Sequence, residues 1–111
     1  MEAVNVAVVC GTISSEPRVR LLPSGGTVTN IEVTTALDDG RTSVPVVVHD
    51  ATVTVTEGDL VVVTGHVARR FFRAGGATQS RTELVARRVL KASRGAAVRR
   101  ALAEVVERLD P

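Results

Sequence analysis

Basic side chains are the first chemistry this sequence offers. Between positions 66 and 100 lie ten of them, nine arginines and Lys91, against one acid, Glu83, a local balance of +9 inside a chain whose net charge is only +2. Residues 1–65 carry three arginines, Arg18, Arg20 and Arg41, and eight acids; residues 101–111 balance at −2. Arginine presents a planar fork that matches phosphate and can also stack on bases, so an arginine-rich segment is a candidate polyanion surface. The bland alternative is a solvated surface in a chain that uses arginine by default. Other chemistry is thin. His49 and His66 lack HxH or HExxH spacing, and the single thiol, Cys10, sits in an apolar run where a buried structural role is expected. One cysteine excludes an internal disulfide and a cysteine-cluster zinc site. Asp38-Asp39 reads as a solvated turn, and Pro23-Ser-Gly-Gly26 lacks the spacing of a phosphate-cradling loop. No catalytic set, metal site or cofactor site is expected, and the chain reads as a binding protein rather than an enzyme.

The elements that must position those arginines are mostly strands. The 111 residues suit one small domain, and 44% are apolar, almost all aliphatic: 22 valines against two aromatics, Phe71 and Phe72. Val4–Thr12 predicts a first strand apolar on both sides, with Val4, Val6, Val8 and Cys10 opposite Ala7 and Val9; such a strand asks for a partner subunit as cover. After a turn at Ser14–Arg18, Val19–Leu22 resumes extended. Val28–Ala36 and Thr42–Asp50 follow as a hairpin around Asp38-Asp39-Gly40. Ala51–Glu57 alternates like a strand but has no turn before it. Leu60–Arg70, running on toward Phe72, and Arg81–Leu90 form the last hairpin, with a mobile tip at Arg73–Ser80. Ser93–Leu109 predicts a helix with the stripe Val98, Leu102, Val105 and Leu109, and with Glu104 paired to Arg100 and Arg108. The expectation is an all-β, closed five-stranded barrel over residues 1–92, followed by a helix over 93–111. The longest apolar runs, four or five residues, are too short to cross a bilayer, and no secretion signal is read, so a cytoplasmic protein without membrane partners is expected.

An ordered set of segments carries a resemblance. Val4-Asn-Val-Ala-Val-Val-Cys-Gly11, Glu16-Pro-Arg-Val-Arg20, Pro23-Ser-Gly-Gly26, Thr29-Asn-Ile31, Glu57-Gly-Asp-Leu-Val-Val-Val-Thr-Gly65 and Arg81-Thr-Glu-Leu-Val85 occur in the order in which the bacterial single-stranded DNA-binding protein family carries them. Over residues 4–90 the chain resembles that family. The resemblance implies an OB-fold, a homodimer or homotetramer, sequence-tolerant binding of single-stranded DNA, and work beside replication, recombination or repair proteins. It also implies departures. The family stacks bases on aromatics at positions that here read Asp39, Ser43, His49 and Phe72. Each stacked base is worth about 1–3 kcal/mol, so most of that term is missing. The family's helix between its third and fourth strands shrinks to Ala51–Glu57, and a compact helix is expected in place of its disordered acidic tail.

The expected nucleic-acid contacts are Arg18, Arg20, His49, Arg69, Arg70, Phe72, Arg73 and Arg81, and the expected subunit contacts Val4, Val6 and Val8. Arg18 has an alternative partner in Glu16, and Phe72 an alternative place in the core or an interface. By strand alternation Phe71 faces away from Phe72 and is expected to be structural. The competing function is an OB-fold adaptor, akin to primosome accessories, that binds protein and little or no DNA.

Overall fold

A computed structural model of the chain describes residues 2–109; of the sequence-derived segments, Met1 of the barrel and Asp110 and Pro111 of the helix lie outside the described residues. Six strands and one helix run in the order β1 (Ala7–Ile13), β2 (Arg18–Leu21), β3 (Thr27–Leu37), β4 (Gly40–His49), β5 (Leu60–Ala74), β6 (Ala77–Lys91) and α1 (Gly95–Leu109). β1 and β2 are two halves of one bent strand, so the barrel has five. Neighbours run β1-β5-β6-β4-β3, and β1 closes the ring by pairing Thr12 and Ile13 with Thr34 and Val33 of β3. β4 and β6 meet in parallel, Val46 beside Leu84 and Val47 beside Val85; every other pairing is antiparallel. This is the expected closed barrel of OB type with a C-terminal helix.

In β3 isoleucine and valine fill the interior by alternating with polar neighbours, whereas the valine runs 46–48 of β4 and 61–63 of β5 are buried on both faces. Ile13, Ile31, Val33, Val46, Val61, Val63 and Leu84 form the buried cluster. Fully burying such a side chain stabilises by about 1.5–3 kcal/mol. Ala51–Glu57 is neither strand nor helix. Its alternation reflects burial rather than pairing: Val55, 6% exposed, belongs to the core cluster and Val53 packs against it, while the Thr56 amide donates to Asp59 Oδ2 at 2.9 Å and closes the turn into β5.

Three expectations change. Residues 4–6 precede β1 rather than open it, because the Asn5 side chain substitutes for the ladder: its Nδ2 donates to the Val67 carbonyl (2.7 Å) and its Oδ1 accepts from the Val67 amide (3.0 Å). The last hairpin is far longer than expected. Its strands pair out to Ala74 and Ala77, and its tip is the two-residue turn Gly75-Gly76, whose φ of 59° and 79° fit the positive-φ requirement of that turn type. At the base of the hairpin the register slips at Thr64/Gly65, where β6 carries one extra residue. Only glycine fits there, since a Cβ on Gly65 would collide with the Val85 carbonyl oxygen. The helix also docks on a different stripe. Ala101 is 3% exposed and Ala97, Val98 and Val105 are half-buried, whereas Leu102 and Leu109 are exposed. Small alanines let the helix lie close to β5 and β6, and Glu104 anchors it there. Glu104 accepts from Arg87 (3.2 Å) and Arg88 (3.1 Å) of β6 rather than pairing along the helix.

Candidate nucleic-acid interface

Cross-strand neighbours in a sheet share a face, so the register decides which side chains stand together. On the outer face, Arg18 lies opposite Asn30, and Arg20 opposite Val28, whose other neighbour is His49. Glu32 stands beside Pro45, Arg70 is opposite Arg81, and Phe72 is opposite Gln79. The outer faces of β2, β3, β6 and β5 thus enclose a groove of about 750 Å³ lined by Ser15, Arg18, Arg20, Asn30, Arg70 and Arg81 together with Glu16 and Glu32. Four of the eight expected contacts line it, and Phe72 continues the same face of β5 two residues beyond Arg70. His49 is exposed at the end of β4, beside the rung that holds Arg20.

The groove is not simply basic. Arg81 Nη2 donates to Glu32 Oε1 at 2.9 Å, and Ser43 Oγ donates to Glu32 Oε2 at 3.2 Å. Glu83, 4% exposed, accepts from Arg70 Nε at 3.0 Å and lies 4.0 Å from Arg81 Nε. A carboxylate that buried needs paired cations, and Arg70 and Arg81 supply them. The Arg70 guanidinium in turn lies over the Phe72 ring, 5.0 Å from its centre. One continuous network, Ser43–Glu32–Arg81–Glu83–Arg70–Phe72, therefore crosses the face. It leaves Phe72 half-buried, with one side of its ring occupied by a guanidinium. Arg18 and Arg20 are exposed and form no ion pair among the described residues, so the Glu16 alternative for Arg18 does not hold.

Two expected contacts lie elsewhere. Arg69 and Arg73 occupy the opposite face of the hairpin, opposite Thr82 and Thr78, with Phe71 and Ser80 between them. Phe71 is 67% exposed, which overturns its structural role: past Ala68 the hairpin extends beyond the barrel, and no core remains for it to enter. The +9 segment is thus no single patch. Arg87 and Arg88 are held by Glu104 under the helix, and Lys91 approaches Asp59 at 3.9 Å. Those two guanidiniums, Arg88 first, hold the Glu104 carboxyl below the usual carboxylate range. Cys10, expected to be buried, is exposed, because β1 turns Ala7, Val9, Gly11 and Ile13 inward and Val8, Cys10 and Thr12 outward.

Glu32 and Asn30 were not read from the sequence as part of this face, although the strand pattern sets them apart from the buried Thr29, Ile31 and Val33; Ser43 entered only as a position where the resemblance expects a stacking aromatic. Glu83 had a clearer signal as the lone acid among ten bases. Among the described residues, no group of three or more His, Cys, Asp or Glu could hold a metal ion, and no helix is long and apolar enough to cross a membrane. No protein-family model matches the chain, and no curated protein matches it.

Proposed function

We propose that this protein binds single-stranded DNA without sequence preference, in replication, recombination or repair in the cytoplasm, by laying the strand in the groove between β2 and the β5–β6 hairpin. The observation that carries this reading is the convergence of Arg18, Arg20, Arg70 and Arg81 on one open groove, with Phe72 continuing its face. Arginine forks meet phosphates, Phe72 offers one ring face to a base, and Asn30 adds a polar edge. Affinity comes mainly from phosphate contacts, because a single aromatic supplies about 1–3 kcal/mol of stacking. Fluorescence anisotropy of labelled oligo-dT at low salt, with duplex and RNA competitors, tests it. Binding at micromolar protein or below, displaced poorly by duplex, is expected; no binding at micromolar protein contradicts it.

The protein works as a homodimer or homotetramer in this reading. The support is the first strand and the residues leading into it: Val4, just before β1, and Val8, on its outward face, are 50% and 45% exposed, Leu60 opposite Thr12 is exposed, and residues 7–11 pair with β5 on one side only among the described residues. An unpaired apolar strand edge is a ready surface for association. Replacing Val6 and Val8 with Glu yields monomers or aggregates by light scattering. A clean 11.7 kDa monomer for the unmutated protein contradicts this.

The adaptor reading retains one observation in its favour: Glu32 and Glu83 already neutralise two of the four groove arginines. A protein partner that survives nuclease treatment in a pull-down, with no oligonucleotide binding, is its signature.

A further inference from the structure

Resting on that reading, we infer that the β5–β6 hairpin is a two-sided arm, and that the face opposite the groove, Arg69–Phe71–Arg73, is a second contact for the same single strand. β6 pairs with β4 only at Leu84 and Val85, so from Glu83 to Ala77 β6 has a strand partner on one side alone among the described residues. The arm is therefore a free two-stranded ribbon of about seven rungs, roughly 23 Å long at about 3.3 Å per residue. On the second face the opposed pairs are Arg69 with Thr82, Phe71 with Ser80, and Arg73 with Thr78. All six are exposed, and none is acidic. Phe71 keeps 67% of its surface open, more than its neighbour Phe72. An exposed ring alone means little. Here it stands between two cations on one face, each about 6.7 Å away along the strand, with a row of hydroxyl donors across from them. That arrangement gives a base a ring to stack on, with a guanidinium on either side for the flanking phosphates. The route between faces passes the Gly75-Gly76 tip, where no side chain obstructs it. Arg73 Nη2 donates to the Gly76 carbonyl at 3.0 Å, which keeps that cation at the tip.

The test is affinity as a function of oligo-dT length, from about 6 to about 30 nucleotides, a span that exceeds what one OB face occupies. For the unmutated protein, affinity rises until both faces are filled. In Phe71→Ala the rise stops at a shorter length, and affinity for the longest oligonucleotide falls about tenfold, while the melting temperature is unchanged because the ring is exposed. Arg69→Gln with Arg73→Gln, which leaves both rings in place, gives the same shortened plateau and lowers the salt slope by about 1.4 on long oligonucleotides. A plateau at the same length in the unmutated protein and both variants overturns the second face while leaving the groove intact. Absence of any binding by the unmutated protein overturns the groove and the second face together.

Discussion

On the groove side of the β5–β6 arm, Arg70 and Arg81 rest on Glu83 and Glu32; on the other side, Arg69 and Arg73 flank Phe71 with no acid among the paired residues. The two faces are made by the same two strands and are set apart by a single step of alternation. One is pre-ordered: its guanidiniums are held at 3.0 and 2.9 Å by carboxylates, and one of them lies over the Phe72 ring. On the other, no carboxylate among the described residues holds a cation, and Arg73 donates only to the Gly76 carbonyl. Pre-ordering lowers the entropy lost on binding, but each carboxylate must share its arginine with an incoming phosphate. Charge available to a ligand is therefore set by the neighbours each cation already has, and a count of arginines along the chain overstates it.

Substitutions on the two faces separate their roles. The largest effect is expected from Phe72→Ala, which lowers single-stranded DNA affinity by about 1–3 kcal/mol. It also lowers the melting temperature slightly, since the ring is half-buried and partners Arg70. Phe71→Ala leaves melting unchanged, and equal melting losses in the two variants would erase the contrast between the faces. Next comes Arg18→Ala with Arg20→Ala, which removes the two groove cations that no carboxylate holds. The salt slope for oligo-dT falls by about 1.4 in magnitude, at about 0.7 per phosphate contact. Removing an acid does the reverse. Glu32→Gln frees Arg81 and raises affinity, by no more than about fivefold, because a half-exposed ion pair is worth about 0.2–1 kcal/mol. An unchanged or weaker titration would show that Glu32 serves the ligand rather than competing with it.

The smallest effect is on stability and concerns the third group of arginines. The Glu104 carboxyl is depressed by Arg88 and Arg87, so its contribution is complete above the ordinary carboxylate pKa and is lost as pH falls through the lower folded value. Melting curves in the acid range should therefore lose less stability in Glu104→Gln than in the unmutated protein, and identical acid profiles would contradict the pairing.

Strand order and core were legible because period-two alternation of valine with polar residues is a burial signal, and burial is what the barrel needs. Ile31 and Val33 are inside as that pattern requires, while the unbroken valine runs 46–48 and 61–63 are buried on both faces. The same signal misleads where burial comes without pairing, as at Val53 and Val55. It is silent where pairing comes without burial, as at the outer end of the arm from Arg73 to Ser80, whose polar rungs look like a loop. Alternation put Phe71 and Phe72 on opposite faces, as observed. It does not say that the barrel ends before either of them, and so the inward side of the strand opens onto solvent at Phe71. The helix illustrates a related limit: leucines at helical spacing mark a stripe, but close approach to a sheet selects Ala101. The groove's arginines could be named from the sequence, whereas the carboxylates that hold them depend on cross-strand register between segments up to 49 residues apart.

Salt dependence of oligo-dT binding tests the central claim most directly, because it counts the phosphates that the groove neutralises. For an oligonucleotide that fills the groove alone, four arginine contacts predict that log affinity falls against log salt with a slope of about −3. Absence of binding at micromolar protein in low salt, or binding whose strength does not change with salt, would contradict it.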